Sequence, residues 1–67
     1  MVNTTRLQNA INASGVSIAF LAKSLSISRR TFYSRLEGKS DFRLTEIQLL
    51  SNVLRLNPEE KEIIFFN

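Results

Sequence analysis

The sequence predicts an all-α fold of five short helices packed as one compact domain over residues 1–67. Apolar residues recur at spacings of three and four through residues 4–14, 18–25 and 44–54, which is the period of helices with one buried face. Serine, asparagine and glycine stand at the ends of these segments, where they cap helices. A chain of 67 residues without cysteine must hold such helices together by packing alone.

The first helix is predicted to begin at Thr4 or Thr5 and to end at Ser14, with Gly15 as a left-handed C-cap. Its inner stripe consists of Leu7, Ala10, Ile11 and Ser14. A second helix follows Ser17, whose side-chain oxygen can cap free N–H groups. The apolar face of this helix consists of Ile18, Leu21, Ala22 and Leu25.

The third helix is predicted over residues 29–37, with Ser28 as its N-cap and Gly38 after its end. Phe32 and Leu36 lie four positions apart and face inward. The outer side of the helix carries Arg29, Arg30, Tyr33 and Ser34. Residues 17–38 therefore form a helix-turn-helix motif with arginines near the start of its second helix.

Two further helices complete the domain. Residues 44–54 form the fourth, and its predicted inward residues are Leu44, Ile47, Leu50 (or Leu49), and Val53 or Leu54. Phe42 is expected to plug the core beside the preceding loop. The fifth helix runs from about 58 to 66, since Asn57 caps, Pro58 suits the first position and Glu60 completes a capping box. Helix capping thus explains the acidic cluster at its start.

The fifth helix ends in four consecutive large apolar residues, which cannot all face one side of a helix: Ile63, Ile64, Phe65 and Phe66. The sequence leaves two alternatives open. Either this tail folds back over the first and fourth helices, or part of it forms a two-fold homodimer contact, as exposed apolar patches often do.

The positive charge of the chain is concentrated in and just after the motif. The net charge is +3, but residues 23–43 hold six basic and two acidic residues, whereas the rest holds three basic and four acidic residues. Arg29 and Arg30 repel one another and oppose the macrodipole at a helix N-terminus, so local stability does not favour them there. Contact with a guanine edge or a DNA phosphate would explain why two arginines stand at this position.

The segment LAKSLSISRRTFY, the LEGKS after it and the flanking helices resemble the phage repressor and Cro-type domains of the lambda-repressor-like, XRE-type family. Ala22 matches the small residue where the two motif helices touch in that family. The apolar positions that fix the crossing of those helices are matched by Leu25, Ile27 and Phe32.

Two positions depart from the family pattern. Ser26 stands where a glycine is common, so a left-handed backbone conformation is expected there at a modest cost. Ile18 stands where the family often has a phosphate-binding glutamine. Backbone N–H groups behind Ser17 would have to replace that contact.

The resemblance implies a sequence-specific, double-stranded DNA-binding transcriptional regulator, Cro-like or phage-type, that occupies an operator through residues 29–37. The residues expected to contact bases are Arg29, Arg30, Tyr33 and Ser34. Those expected to contact phosphates are Ser17, Lys23, Ser28, Thr31, Lys39, Ser40 and Arg43. Arg35 either pairs with Asp41 or stacks against the sugar-phosphate wall. A homodimer through the tail would set two such helices ~34 Å apart, on a pseudo-palindrome.

The runner-up function is an antitoxin-like or adaptor module that holds a partner protein with the apolar tail. Steep salt dependence would distinguish DNA binding from such an interface. An enzyme is not expected, because the chain has no histidine or cysteine and no glycine-rich phosphate loop. Single-stranded RNA binding needs several exposed aromatic residues, and only Tyr33 qualifies.

No metal, cofactor or small-molecule ligand is expected, since cysteine and histidine ligands are lacking. Nowhere do the ~18 apolar residues of a membrane span occur, and residues 1–7 have no apolar core of signal-peptide length. We therefore expect a soluble protein of the bacterial or phage-infected cytoplasm, bound at the nucleoid when on DNA. The lack of cysteine fits that reducing compartment.

Overall fold

A computed structural model describes residues 2–66 of the chain. The helices are α1 (Thr4–Ser14), α2 (Ile18–Ser24), α3 (Arg29–Leu36), α4 (Leu44–Val53) and α5 (Pro58–Lys61), and α5 continues as a π-helical segment, Glu62–Phe66. Residues 2–66 contain no strand, so the predicted all-α class is confirmed. The molecule measures 28 × 24 × 20 Å, as expected for one compact body. Within the described residues, no helix combines the length and the apolar character that crossing a membrane requires.

The predicted helix starts are confirmed in their hydrogen bonds. Ser17 and Ser28 each accept a bond from the backbone N–H three residues later, at 3.1 and 3.0 Å. Asn57 and Glu60 form a reciprocal capping box with N···O distances of 2.8 and 2.9 Å. Asn3 caps α1 in the same way as the two serines, at 3.1 Å. These starts were predictable because a cap depends only on residues within one turn.

Three helices end in the same backbone motif, with one residue in the left-handed region. These residues are Ser26 (φ 58°) after α2, Gly38 (φ 81°) after α3 and Arg55 (φ 56°) after α4. In each case its N–H bonds the carbonyl three residues back, and the following N–H bonds the carbonyl five residues back, at 2.9–3.2 Å. This is the Schellman arrangement. The left-handed conformation expected of Ser26 is thereby confirmed, and Gly15 ends α1 at φ 74° as predicted.

The core draws on every helix but the short α5. Its buried apolar residues are Leu7, Ile11, Leu21, Ala22, Leu25, Phe32, Leu36, Ile47, Leu50, Leu54, Ile64 and Phe65. Phe42 packs edge-to-face against Phe32 and Phe65, with ring centroids 6.0 and 5.7 Å apart. The prediction that Phe42 plugs the core beside its loop is confirmed, and the aromatic trio ties α3 to the C-terminal segment.

The prediction of the inward face of α4 was wrong at Leu44, which is 73% exposed. Glu46 is buried near it, while Ile47, Leu50 and Leu54 are inward as predicted. Leu44 is the first residue of α4, and the helical period that groups it with Ile47 does not show how far the core extends along the helix. A smaller error concerns Ser14, which is exposed and donates its hydroxyl to the carbonyl of Ile11 at 2.6 Å.

The C-terminal tail folds back on the chain. Ile64 and Phe65 are buried, Ile63 is half-buried, and Phe66 is 48% exposed. The backbone N–H of Asn3 donates to the carbonyl of Ile64 at 2.6 Å, which fixes the tail against the start of α1. A π-turn holds more residues than an α-turn, so two adjacent side chains diverge less and both reach the core. Ile64 and Phe65 are therefore covered by the chain itself, whereas a homodimer contact through the tail stays a prediction.

Candidate nucleic-acid interface

The α3 helix is held against α2 by buried side chains on one side, and its other side is exposed. The two helices pack together across the turn of residues 25–28. Ala22 of α2 and Phe32 of α3 are buried, as is Leu25 between them. This packing leaves Arg29, Arg30 and other polar side chains of α3 on the outer side.

Five exposed basic residues surround this outer side, and we call them the basic surface: Lys23, Arg29, Arg30, Lys39 and Arg43. Among residues 2–66, the ion pairs within 4.0 Å are Arg35–Glu46 and Lys39–Glu37. Four of the five cations therefore have no acidic partner in the described part of the chain. Their charge is available to an anion from outside.

Arg29 and Arg30 occupy the first turn of α3, which contains no acidic residue. The free N–H groups there add partial positive charge to the two guanidinium groups. Tyr33 follows about one turn later with 47% of its surface exposed. The first half of α3 thus presents two fork-shaped hydrogen-bond donors and one aromatic ring to the solvent.

The far end of α3 has a different charge. Arg30, Tyr33, Ser34, Glu37 and Lys39 line a shallow depression there. The Glu37 carboxylate lies 3.2 Å from the Lys39 ammonium, and both side chains are largely exposed. An exposed pair of this kind contributes little stability. Charge therefore changes along α3, from two arginines at its start to a neutralised carboxylate just after its end.

Ser34 and Ser40 are bonded to each other rather than free. Both are half-buried, and their hydroxyl oxygens are 3.0 Å apart. Ser40 also accepts a bond from Nη1 of Arg35 at 3.2 Å. The sequence had assigned Ser34 to a base and Ser40 to a phosphate. Both hydroxyls are engaged within the chain, although Ser34 lines the same depression as Arg30 and Tyr33. The two assignments to DNA stay predictions.

Three other predicted phosphate ligands serve as helix caps or bond to one. Ser17 caps α2 and Ser28 caps α3, and both remain exposed. The Ser28 hydroxyl donates to Oγ1 of the half-buried Thr31 at 3.0 Å. The exposed caps Ser17 and Ser28 therefore lie at the starts of the two helices, where backbone N–H groups also point outward.

Arg35 forms an ion pair that sequence reasoning did not find. Its Nε donates to Oε1 of Glu46 at 2.8 Å and its Nη2 to Oε2 at 3.3 Å. The two side chains are only 12% and 8% exposed. Neither predicted role for Arg35 holds, since its partner is not Asp41 and its guanidinium does not project outward. One feature of the sequence could have pointed to Glu46: it lies three residues after Arg43, where a carboxylate can cap the start of a helix.

The same carboxylate completes the start of α4. Oε1 of Glu46 accepts the backbone N–H of Arg43 at 2.9 Å. The Arg43 side chain accepts no bond in return, because a guanidinium has donors only. Arg43 therefore caps α4 with its backbone alone, and its charged group stays exposed.

Comparison of the chain with protein-family models, with curated proteins and with solved structures returned no match. The chemistry of the interface follows from its own side chains. Guanidinium groups on the exposed side of a helix can donate paired bonds to a base edge or to phosphate oxygens. The ammonium groups of Lys23 and Lys39 act as point charges at its margins.

Proposed function

We propose that the chain is a sequence-specific, double-stranded DNA-binding transcriptional regulator, a Cro-like or phage-type repressor that occupies an operator through α3. In this proposal α2 and α3 act as the two motif helices of a lambda-repressor-like domain. The protein would work in the bacterial or phage-infected cytoplasm, at the nucleoid. One observation carries the proposal: Arg29 and Arg30 are exposed on the first turn of α3 with no acidic residue within 4.0 Å in the described chain.

Two arginines at this place oppose the helix macrodipole and each other, so they lower the stability of the isolated protein. An anionic or electron-rich partner would offset this loss of stability, because it attracts the two guanidinium groups. An α-helix with its side chains is about 10–12 Å across, which fits the major groove of B-DNA, about 12 Å wide. Arginine is the side chain that pairs best with the O6 and N7 acceptors of guanine.

The rest of the basic surface suits the DNA backbone. Lys23 precedes α3 in the sequence, Lys39 and Arg43 follow it, and all three are exposed. In the proposal they contact phosphates and orient the helix. Three to five such contacts predict a slope of log K against log salt of about −2.7 to −4.5. Tyr33 would meet a thymine methyl group or a phosphate with its exposed ring.

A second candidate is the antitoxin-like or adaptor module, and one observation favours it. Leu44 and Phe66 are both exposed and line the same depression, together with Val2 and Phe42. A partner protein or a second copy of the chain would cover this apolar area. Binding to such a partner would depend weakly on salt, in contrast to DNA binding.

The test of the proposed function compares two arginine variants on a duplex selected for binding. Arg30→Ala should lower the affinity for that duplex by about 1–3 kcal/mol and relax the preference at one base pair. Arg6→Ala is the matched control, since it removes the same charge from an exposed site on α1. Its affinity should stay near that of the wild type.

An equal loss of affinity for Arg30→Ala and Arg6→Ala would mean that only the overall charge matters, and it would contradict a base contact by Arg30. An equal loss of Arg30→Ala on all duplexes would assign Arg30 to a phosphate instead. If the wild type binds no duplex in a salt-dependent manner, the proposed function itself is wrong.

A further inference from the structure

We infer that the buried Arg35–Glu46 pair positions the loop of residues 37–43 for phosphate contact. Arg35 and Glu46 would then be positioning residues for DNA binding, although neither side chain projects toward the DNA. This inference rests on the proposed function. It concerns the one buried charged pair in the described chain, which the interface itself does not use.

The first step is that Glu46 joins three parts of the molecule. Its carboxylate takes two bonds from Arg35 of α3, at 2.8 and 3.3 Å. The oxygen Oε1 also accepts the backbone N–H of Arg43, the last loop residue, at 2.9 Å. One carboxylate on α4 therefore fixes the end of the loop relative to α3.

The second step is that Arg35 also holds the middle of the loop. Its third nitrogen, Nη1, donates to the hydroxyl of Ser40 at 3.2 Å. Ser40 is bonded in turn to Ser34 of α3, at 3.0 Å. All three guanidinium nitrogens are thus used. The pair adds side-chain bonds at two points of the loop to the backbone bonds that join Lys39 and Ser40 to the Ser34 carbonyl.

The two bonded points of the loop lie next to its two cations. Lys39 precedes Ser40, and the Arg43 side chain starts from the backbone that Glu46 holds. Both cations are exposed, and they lie beside the two fixed points of the loop. Fixing the loop therefore keeps the backbone positions of these two cations at a constant distance from those of Arg29 and Arg30. Phosphates on a duplex have a set spacing, so a constant distance favours simultaneous contact.

The fourth step is that stability alone does not require an ion pair here. Well-packed apolar residues of similar volume often replace a buried pair without loss of stability. What apolar side chains cannot supply is the set of directed bonds to Ser40 and to the N–H of Arg43. The role assigned to the pair is therefore to hold the loop in this geometry.

The expected size follows from counterion release. Each phosphate contact contributes about 0.9 to the salt slope, which makes it worth about fivefold in affinity at 0.15 M salt. Loss of the contacts of Lys39 and Arg43 would lower the affinity by up to about 30-fold and the slope by about 1.8. The preference for one base sequence over another should change little, because phosphate contacts carry no sequence information.

The experiment uses the double variant Arg35→Met/Glu46→Leu, which keeps the volume and removes the directed bonds. Amide hydrogen exchange without DNA should show faster exchange at Arg43, whose backbone N–H bonds Glu46, with α1 and α2 as in the wild type. Affinity for the selected duplex at several salt concentrations should fall by about 10- to 30-fold, with a shallower slope. Lys39→Ala/Arg43→Ala is the matched control, expected to lower the slope without faster loop exchange. If the first double variant does not fold, Glu46→Gln replaces it, since it removes the charge and keeps one acceptor.

Two results would overturn the inference while leaving the proposed function intact. One is a folded variant whose loop exchanges as slowly as in the wild type. The other is a loosened loop with unchanged affinity and salt slope. A wild-type protein that binds no duplex would overturn the proposed function and the positioning role together, and the exchange data would then describe only the loop.

Discussion

The buried pair of Arg35 and Glu46 offers the sharpest prediction about stability. Replacing Glu46 with leucine leaves the Arg35 guanidinium without its partner in a site where the side chain is 12% exposed. It also removes the acceptor that bonds the N–H of Arg43 at 2.9 Å. Breaking a buried pair in this way typically costs about 3–5 kcal/mol. We expect the lower part of that range, about 3 kcal/mol, because the flexible arginine can turn toward water.

That loss is large for a domain of this size. A chain of 67 residues at about 0.05–0.15 kcal/mol per residue has a total stability of about 3–10 kcal/mol. At about 4–8 °C per kcal/mol, the melting temperature of Glu46→Leu should fall by about 12–24 °C. Arg35→Met should cost less, because it leaves a carboxylate that still caps α4. The double variant should recover most of the loss.

The assay is urea and thermal unfolding followed by far-UV circular dichroism, on the wild type, both single variants and the double variant. These four proteins form a double-mutant cycle, which isolates the coupling energy between the two side chains. We expect a coupling energy of about 2–3 kcal/mol, because the two residues are in direct contact. Two additive single variants would refute the reasoning, since the two charges would then not be energetically coupled. A loss below about 1 kcal/mol for Glu46→Leu would show that the pair is solvated.

Two further predictions concern the turn after α2 and the C-terminal tail. Ser26→Gly should raise the free energy of unfolding by about 0.5 kcal/mol, because relief of the left-handed strain at φ 58° exceeds the added entropy of the unfolded chain. The control Ser24→Gly, inside α2, should lower the free energy of unfolding. A lower free energy of unfolding for both variants would contradict the strain at Ser26. Phe65→Asp should unfold the protein because it buries a charge in the core, whereas the neighbouring Phe66→Asp should stay folded. Circular dichroism separates the two outcomes, and a folded Phe65→Asp would contradict the packing of the tail.

The parts of the fold that the sequence revealed are those set by neighbouring residues. Ser17, Ser28 and Asn57 were recognisable as caps because the donor lies three positions ahead in the chain. Phe32 and Leu36 follow from the helical period. Each of these inferences needs one turn of helix and no knowledge of the tertiary structure. The left-handed Ser26 was expected from the family resemblance, because a glycine is common at that position in the family.

The parts that the sequence did not reveal depend on residues far apart in the chain. The Arg35–Glu46 pair spans eleven positions and two helices, so no periodicity announces it. The tail remained ambiguous because its burial depends on the space left by other helices and on a π-turn. Within the candidate interface, the exposure of Arg29 and Arg30 followed from the pattern.

The measurement that tests the central claim most directly is selection of bound duplexes from a random-sequence DNA library at near-physiological salt. The account predicts an enriched sequence motif, read through α3, whose recovery falls steeply as salt rises. Two copies of the motif about one DNA turn apart would add a homodimer to the account, and a single copy would describe a monomer. A folded protein that enriches no sequence at all would contradict sequence-specific DNA binding and favour the protein-interaction module.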